Sequence, residues 1–144
     1  MSLAENVAVL AAVQGTANST PLVSSYVSAK NAGEITAIVH LGDMANEVID
    51  VAIYQATSGA GAGAKNLKAI TQISASASAN DSKQVIISAR ADEFDIDGGF
   101  SFAAVRIVTG GATGGTVTGL LLGSDLRYAP ASLVDNASVV QIVP

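Results

Sequence analysis

Branched apolar residues alternate with polar or small ones through the stretch Glu47–Gln55, EVIDVAIYQ. Ile49, Val51 and Ile53 fall on one side of this alternation. A two-residue period places one face of a β-strand on a core and the other face in water. The sequence therefore predicts a half-buried strand here, ended by the glycine-alanine run 58–64.

Other stretches carry the same alternation, or a short apolar run, between turn residues. They are Leu22–Ser28, Glu34–Leu41, Lys83–Ala91, Thr116–Ser124 and Ser138–Val143. Phe100–Thr109 is also apolar, but its phase slips between Phe102 and Val105, which indicates a bulge. All of these stretches are predicted to be strands, and in Lys83–Ala91 the alternation places Val85 and Ile87 on the core face.

The connections between strands predict which strands pair. Gly42 and Asp43 open a short connection from strand 34–41 into strand 47–55, which predicts an antiparallel pair. The glycine-rich turn Gly110–Gly115 makes the strands before and after it the best hairpin candidate in the chain.

Three segments carry weaker signals. Glu5–Gln14 alternates but is also rich in alanine, and the β-rich remainder favours a strand or an extended arm over a helix. Lys65–Ser74 fits either one helical turn or a strand. Ser74–Asp81 is small and polar with no hydrophobic face, which predicts a loop.

The chain thus contains about eight predicted strands and little helix, a pattern typical of sandwiches and barrels. Among sandwiches, eight strands best fit a jelly roll. The predicted fold class is all-β: an antiparallel β-sandwich, specifically a jelly roll of about eight strands. With 144 residues the chain is predicted to form one domain, 1–144, in which 1–24 is the candidate for an extended N-terminal arm.

Composition excludes several functions. Charged residues make up 13% of the chain, well under the ~25% of soluble domains, as in proteins that pack against copies of something else. The net charge of −5 and the scattered basic residues argue against nucleic-acid binding. Cysteine is absent, so disulfides and thiolate metal sites are excluded. No run approaches the ~18 apolar residues of a membrane span, and Met1–Val13 lacks signal-peptide features, so we expect a soluble protein without a membrane partner.

The run Ser58–Lys65, SGAGAGAK, invites comparison with a phosphate-binding loop. That motif requires Gly, four residues, then Gly-Lys-Ser/Thr. Here Ala64 stands where the second glycine should be, and Asn66 follows the lysine. We expect a mobile exposed connection and no nucleotide cofactor.

The segment Glu93–Gly98, EFDIDG, resembles the opening of a calcium loop, with acids at alternate positions before a glycine. Such a loop needs a bidentate glutamate at its twelfth position, and that position here is Ala104. We expect a strand end with its acids in water, and a weakly held, oxygen-ligated cation is the alternative. No metal site is predicted.

His40 is the single histidine, and no motif supplies it with a nucleophile and an orienting acid. The adjacent acids Asp92 and Glu93 would point to opposite faces of a strand, which does not suit two-carboxylate chemistry. No catalytic, cofactor-binding or metal-ligating residue is therefore predicted, and the protein is not expected to be an enzyme.

Three stretches carry a resemblance to a known family. They are VAIYQATSGAGAGAKNLKAITQ, KQVIISARADEFD and LLLGSDLRYAPAS. From Asp50 onward, over roughly the last two-thirds of its length, the chain resembles the cement or decoration proteins of tailed-bacteriophage heads. The likeness lies in general character: the chain is short, rich in strands and rich in alanine and glycine. It includes no diagnostic motif.

This resemblance implies a structural virion protein, often a jelly roll, made in the host cytoplasm and bound to the capsid exterior. Its implied partners are the major capsid protein, whose neighbouring subunits it bridges and stabilises, and further copies of itself in a homodimer or homotrimer. The first alternative is a phage tail or head-completion protein that forms a ring. The second is a carbohydrate-binding β-sandwich module, although aromatic residues are only 4% of the chain and Trp is absent.

Overall fold

A computed structural model describes residues 2–111, 113–128, 139–141 and 143. The described chain contains a four-residue helix, a 3₁₀ turn and nine strands. In chain order they are α1 Leu3–Asn6, β1 Ala8–Ala17, β2 Leu22–Val23, β3 Val27–Ser28, β4 Glu34–Leu41, β5 Ile49–Ala56, β6 Lys65–Ala69, β7 Gln84–Arg90, the 3₁₀ turn Ala91–Glu93, β8 Phe102–Thr109 and β9 Gly115–Ser124.

The strands form two antiparallel sheets. The four-stranded sheet has the order β1-β9-β4-β7, and the five-stranded sheet has the order β2-β8-β5-β6, with β3 also paired to β8. β2 and β3 both pair with β8, so they act as one interrupted strand. Counted in this way, the sandwich has eight strands. The chain changes sheet at every connection except β5 to β6, which is the strand order of a jelly roll. The predicted fold class is confirmed.

The core lies between the inner faces of the two sheets. Ile49, Val51, Ile53 and Ile87 are buried in it, and Val85 packs against it from β7. These are the residues that the two-residue period assigned to the core, so the predicted strand phase is confirmed. Alternate burial follows from the pleat, which turns successive side chains to opposite faces.

Both predicted strand pairs are wrong. β4 lies in the four-stranded sheet and β5 in the five-stranded sheet, so the connection after Leu41 crosses from one sheet to the other. β8 and β9 are likewise in different sheets, and the Gly110–Gly115 turn is a crossover between sheets. A jelly roll pairs strands that are distant in sequence, and short connections therefore do not identify its partners.

The predicted bulge in β8 is also wrong. β8 pairs with β5 in unbroken register from Phe102 to Thr109. Ala103, Val105 and Ile107 face the core, while Ala104 is buried on the opposite face of the sheet. The apparent change of phase arises because Phe102 and Ala104 are apolar residues on that opposite face, where Phe102 lies next to Gly59 of the glycine run. Register shifts occur instead in β1, between Val9 and Ala11, and in the pairing of β5 with β6.

Glycines on the inner face of β9 let the opposite sheet approach closely. Gly115, Gly119 and Gly123 are four residues apart, so they share one face of the strand, and all three are buried. A Cβ at Gly119 would lie 3.2 Å from Val13 and 3.4 Å from Ile107 Cδ1. The space that a side chain would fill is taken by branched residues of both sheets.

The segments with weaker signals resolve as follows. Residues 1–24, considered as an arm, include α1, β1 and β2, and β1 is an edge strand paired with β9. Lys65–Ser74 contains β6 and a further bridge from Ile73 to Ile49, so the strand interpretation is correct. The predicted strand Ser138–Val143 lies in part outside the described residues, and no strand is assigned to the positions within it that are described.

Candidate functional site

The outer face of the four-stranded sheet carries a row of apolar side chains. Leu120 on β9 pairs with Ala12 on β1 and with Ile38 on β4. Ile38 in turn pairs with Ile86 on β7, so the row crosses all four strands. Ile86 is 66% exposed and Leu120 is 36% exposed.

The rows on either side are also uncharged. On one side lie Val9, Leu122, Thr36 and Ser88, and on the other lie Gln14, Thr118, His40 and Gln84. Thr36 and Ser88 share a hydrogen bond of 2.8 Å between their hydroxyls. The next pair along, Glu34 with Arg90, brings the first charges. We call these three rows the uncharged face.

His40 belongs to the polar row of this face, where its side chain is exposed. Its Nδ1 lies 2.9 Å from Nε2 of Gln84, and both nitrogens belong to side chains on the sheet surface. A shallow depression of about 470 Å³ lies beside it, lined by residues that include Gln14, Thr16 and Thr118. His40 is thus a surface residue, as expected, and its side-chain partner is an amide.

The uncharged face is not predicted from the sequence, although a signal for it exists. Ile38, Ile86 and Leu120 occupy positions that the two-residue period assigns to the water-facing side. Each one alone is unremarkable, because single exposed apolar residues are common. Only the strand register shows that the three lie side by side.

The glycine run forms a closed connection between β5 and β6. The Ser58 hydroxyl accepts hydrogen bonds from the N–H groups of Ala60 and Ala62, and the Ser58 carbonyl accepts one from Gly61. A phosphate-binding loop needs such N–H groups to point at its ligand. Here they are used within the turn.

The same loop packs on aromatic rings. A Cβ at Gly61 would lie 2.9 Å from Cε2 of Tyr26, and one at Gly59 would lie 3.5 Å from Phe102. Lys65 Nζ lies 4.1 Å from the centroid of the Phe100 ring and 2.5 Å from the Asp95 carboxylate. The lysine that would serve a phosphate is therefore paired.

The acidic segment follows β7 as a 3₁₀ turn and loop, which corrects the expected strand end. Its carboxylates point to separate basic partners: Asp92 to Arg90 at 2.7 Å, Glu93 to Lys68 at 3.2 Å and Asp95 to Lys65. These hydrogen bonds lower the pKa of all three carboxyl groups below their ordinary values; for Glu93 the largest cause is the backbone N–H of Arg90.

Within the part of the chain that the structure describes, no three His, Asp or Glu side chains come together as a metal site. Phe94 is buried whereas Ile96 is 68% exposed, so the two do not share a face as residues two apart in a strand would. The segment is held by its ion pairs and by the Asp95 N–H, which donates to Oε1 of Gln55.

Comparison with known proteins adds little to this jelly-roll sandwich. No family model and no curated protein matches the chain. Among solved structures, it is similar to a family two carbohydrate esterase from Cellvibrio japonicus, with a TM-score of 0.35 and 17% identity. The match covers 88% of this chain but 33% of that one. No helix in the described residues has the length and apolar character to cross a membrane.

Proposed function

We propose that this protein is a structural virion subunit that binds the outer surface of a phage head and bridges neighbouring major capsid subunits. The proposal rests on the sequence resemblance to head cement proteins and, in the structure, on one observation. That observation is the uncharged face, whose apolar row of Ala12, Leu120, Ile38 and Ile86 crosses a whole sheet. A flat apolar surface rimmed by polar residues is typical of an interface between proteins.

The size of the uncharged face favours a contact repeated in many copies. Its three rows are two residues, or ~6.8 Å, apart on four strands spaced ~4.8 Å apart, so they present a surface of roughly 400 Å². A stable interface buries about 800 Å² on each partner. One such contact is therefore weak, but a homodimer or homotrimer that engages several capsid subunits gains by multivalency.

Charge on this protein supports the same type of contact. The three rows of the uncharged face contain no Asp, Glu, Lys or Arg, so binding there releases few counterions. Binding should consequently change little between low and physiological salt, since screening acts on charges.

The test uses native particles from which this protein has been stripped, with the purified full chain added back. Ile86→Lys places a charge at the apolar row, whereas Ile96→Lys changes an equally exposed isoleucine outside the sheets: the two are 66% and 68% exposed. We expect Ile86→Lys to weaken rebinding at least ten-fold, because an unpaired charge in an apolar contact is costly. Ile96→Lys should rebind as the parent does.

Three results would count against the proposal: no rebinding by the parent chain, equal rebinding by both variants, or a position in the particle other than the head. Electron microscopy of the particle gives that position. A ring at the portal or tail would favour the tail or head-completion alternative.

The carbohydrate-binding alternative needs aromatic faces open to a sugar. Several aromatic rings here are already covered: Tyr26 by the glycine loop, Tyr54 by Arg106 at 5.0 Å, and Phe100 by Lys65. Tyr128 is 72% exposed and is the best remaining platform among the described residues. Binding in a glycan-array screen that Tyr128→Ala abolishes would support this alternative.

A further inference from the structure

A cleft of about 570 Å³ opens at one end of the sandwich, away from the uncharged face. The acidic loop forms one wall and the connection between β3 and β4 forms the other. Ala29, Ala32 and Phe94 are buried at this cleft, while Phe100 is half-buried and Ile96 is exposed. Its lining is mainly apolar, and its volume is within the range of small-molecule sites.

Two basic residues, Lys30 and Arg127, also line the cleft. Although they are far apart in sequence, hydrogen bonds hold their segments together. The Arg127 N–H donates to the Asn31 carbonyl at 2.8 Å, and the Tyr128 N–H donates to Oδ1 of Asn31 at 3.0 Å. These bonds therefore hold the two segments that carry Lys30 and Arg127 next to each other where they line the cleft.

The other basic residues mostly have partners. Lys65, Lys68 and Arg90 are in ion pairs, and Arg106 lies over the ring of Tyr54. Of the seven basic residues, Lys30, Arg127 and Lys83 have no such partner within the described residues. Two of these three line a single cleft in a chain whose net charge is −5.

The acid in the cleft does not cancel these cations. Asp92 lines the cleft, but Nε and Nη2 of Arg90 hold its carboxylate in two hydrogen bonds of 3.1 and 2.7 Å. Such a bidentate pair is the strong form of the carboxylate–guanidinium interaction. The negative charge of Asp92 is therefore balanced by Arg90, and the positive charges of Lys30 and Arg127 remain available to a ligand.

We propose that this cleft binds a small molecule with an apolar body and one carboxylate. The body would lie on Phe94, Ile96 and the neighbouring alanines, and the carboxylate would accept hydrogen bonds from Lys30 and Arg127. Apolar burial supplies affinity and the two cations fix the orientation. This is a ligand site independent of the proposed role in the virion.

Isothermal titration calorimetry measures the binding of octanoate to the full chain. Octanol, which has the same carbon chain without the charge, is the control ligand. We expect octanoate to bind at least ten-fold more tightly than octanol. In the double variant Lys30→Gln, Arg127→Gln this preference should be lost, whereas Lys83→Gln should keep it. All three substitutions are at exposed positions, and thermal melting verifies that each variant is folded.

The location of binding is read without a variant, from the NMR methyl signals of Ala29, Ala32 and Ile96. Octanoate should shift these signals and leave those of Ile38 and Ile86 on the uncharged face unchanged. The proposal is overturned if octanoate and octanol bind equally, if neither binds, if the double variant keeps the preference, or if the shifts appear elsewhere.

Discussion

At the scale of single residues, Gly61 shows what the glycine run contributes. Its φ of +79° is in the left-handed region, and a Cβ there would lie 2.9 Å from Cε2 of the Tyr26 ring. Both constraints favour glycine, since a left-handed backbone costs other residues free energy and the ring occupies the space. Gly61 is therefore required by the conformation of the loop and by its packing on Tyr26. This packing is not predictable from the sequence, because Tyr26 is distant along the chain.

Gly61→Ala should therefore lower the free energy of unfolding by about 1–3 kcal/mol through backbone strain and the contact with Tyr26. Gly59→Ala is the matched control, because Gly59 is not left-handed and its Cβ would be 3.5 Å from Phe102, an ordinary contact. Urea denaturation measures both. Equal effects of the two substitutions would contradict this account of the loop.

Glu47 stabilises the turn Gly110–Gly115. Its carboxylate accepts hydrogen bonds from the N–H groups of Gly111 at 3.2 Å and Gly114 at 3.0 Å. A hydrogen bond with the Thr109 side chain, followed by these backbone bonds, lowers the pKa of Glu47 from its ordinary value of 4.5. A group with a lowered folded-state pKa stabilises the fold above its unfolded pKa, and this stability is lost as pH falls through the folded pKa.

Glu47→Gln should therefore lower Tm at pH 7, and the difference from the parent should shrink as the pH falls below about 4.5. Asp97→Asn removes one exposed acid of the same chain and controls for the change in net charge. Thermal melts from pH 7 to pH 3 make the comparison. A Tm difference that stays constant over this range would exclude the proposed role of the Glu47 carboxylate.

At the scale of elements, two adjacent residues of β7 lie on opposite faces of the four-stranded sheet. Ile87 is 7% exposed and faces the core, whereas Ile86 is 66% exposed on the uncharged face. Ile87→Ala, like Ile53→Ala in β5, should cost about 2–5 kcal/mol through lost burial and the cavity left behind. Ile86→Ala should cost under ~0.5 kcal/mol. Denaturant titration of the three variants measures these changes in the free energy of unfolding. A large loss of stability in Ile86→Ala would mean that the strand phase is reversed.

β9 offers the converse test, in which a side chain is added. Gly119→Val should lower the free energy of unfolding by about 1–3 kcal/mol, because its Cβ would enter space held by Val13 and Ile107. Thr118→Val, one residue earlier and exposed, should have little effect. If calorimetric melting shows both variants to be as stable as the parent, the two sheets are less closely packed here than the structure indicates.

At the scale of the whole molecule, the proposed role makes a prediction about the particle. A subunit that binds the intact head, and not the disrupted one, stabilises the intact state by mass action. Adding the protein to stripped heads should raise the temperature of genome release, with saturation at a fixed number of copies per capsomer. Chelator should have no effect and salt should have little. Rebinding without any change in release temperature would contradict the cement role.

The positions of most strands, and the residues that they bury, can be read from the amino-acid sequence alone. Glu34–Leu41 is predicted and observed with the same bounds, and Ile49, Val51, Ile53 and Ile87 are in the core as the two-residue period indicates. Both follow from local physics, because the pleat alone decides which side chains share a face. With the number of strands, this local pattern was enough to specify an all-β fold of the kind that sandwiches and barrels share.

Which strands are neighbours is seen only in the folded chain, because pairing is a relation between segments that alternation does not encode. In the sequence, the apolar residues Ile38, Ile86 and Leu120 are isolated exceptions, and the register of β4, β7 and β9 turns them into one row. Lys30 and Arg127 likewise share a cleft because Asn31 joins their segments. Both candidate sites combine residues distant along the chain, and their chemistry exists only after the sheets have assembled.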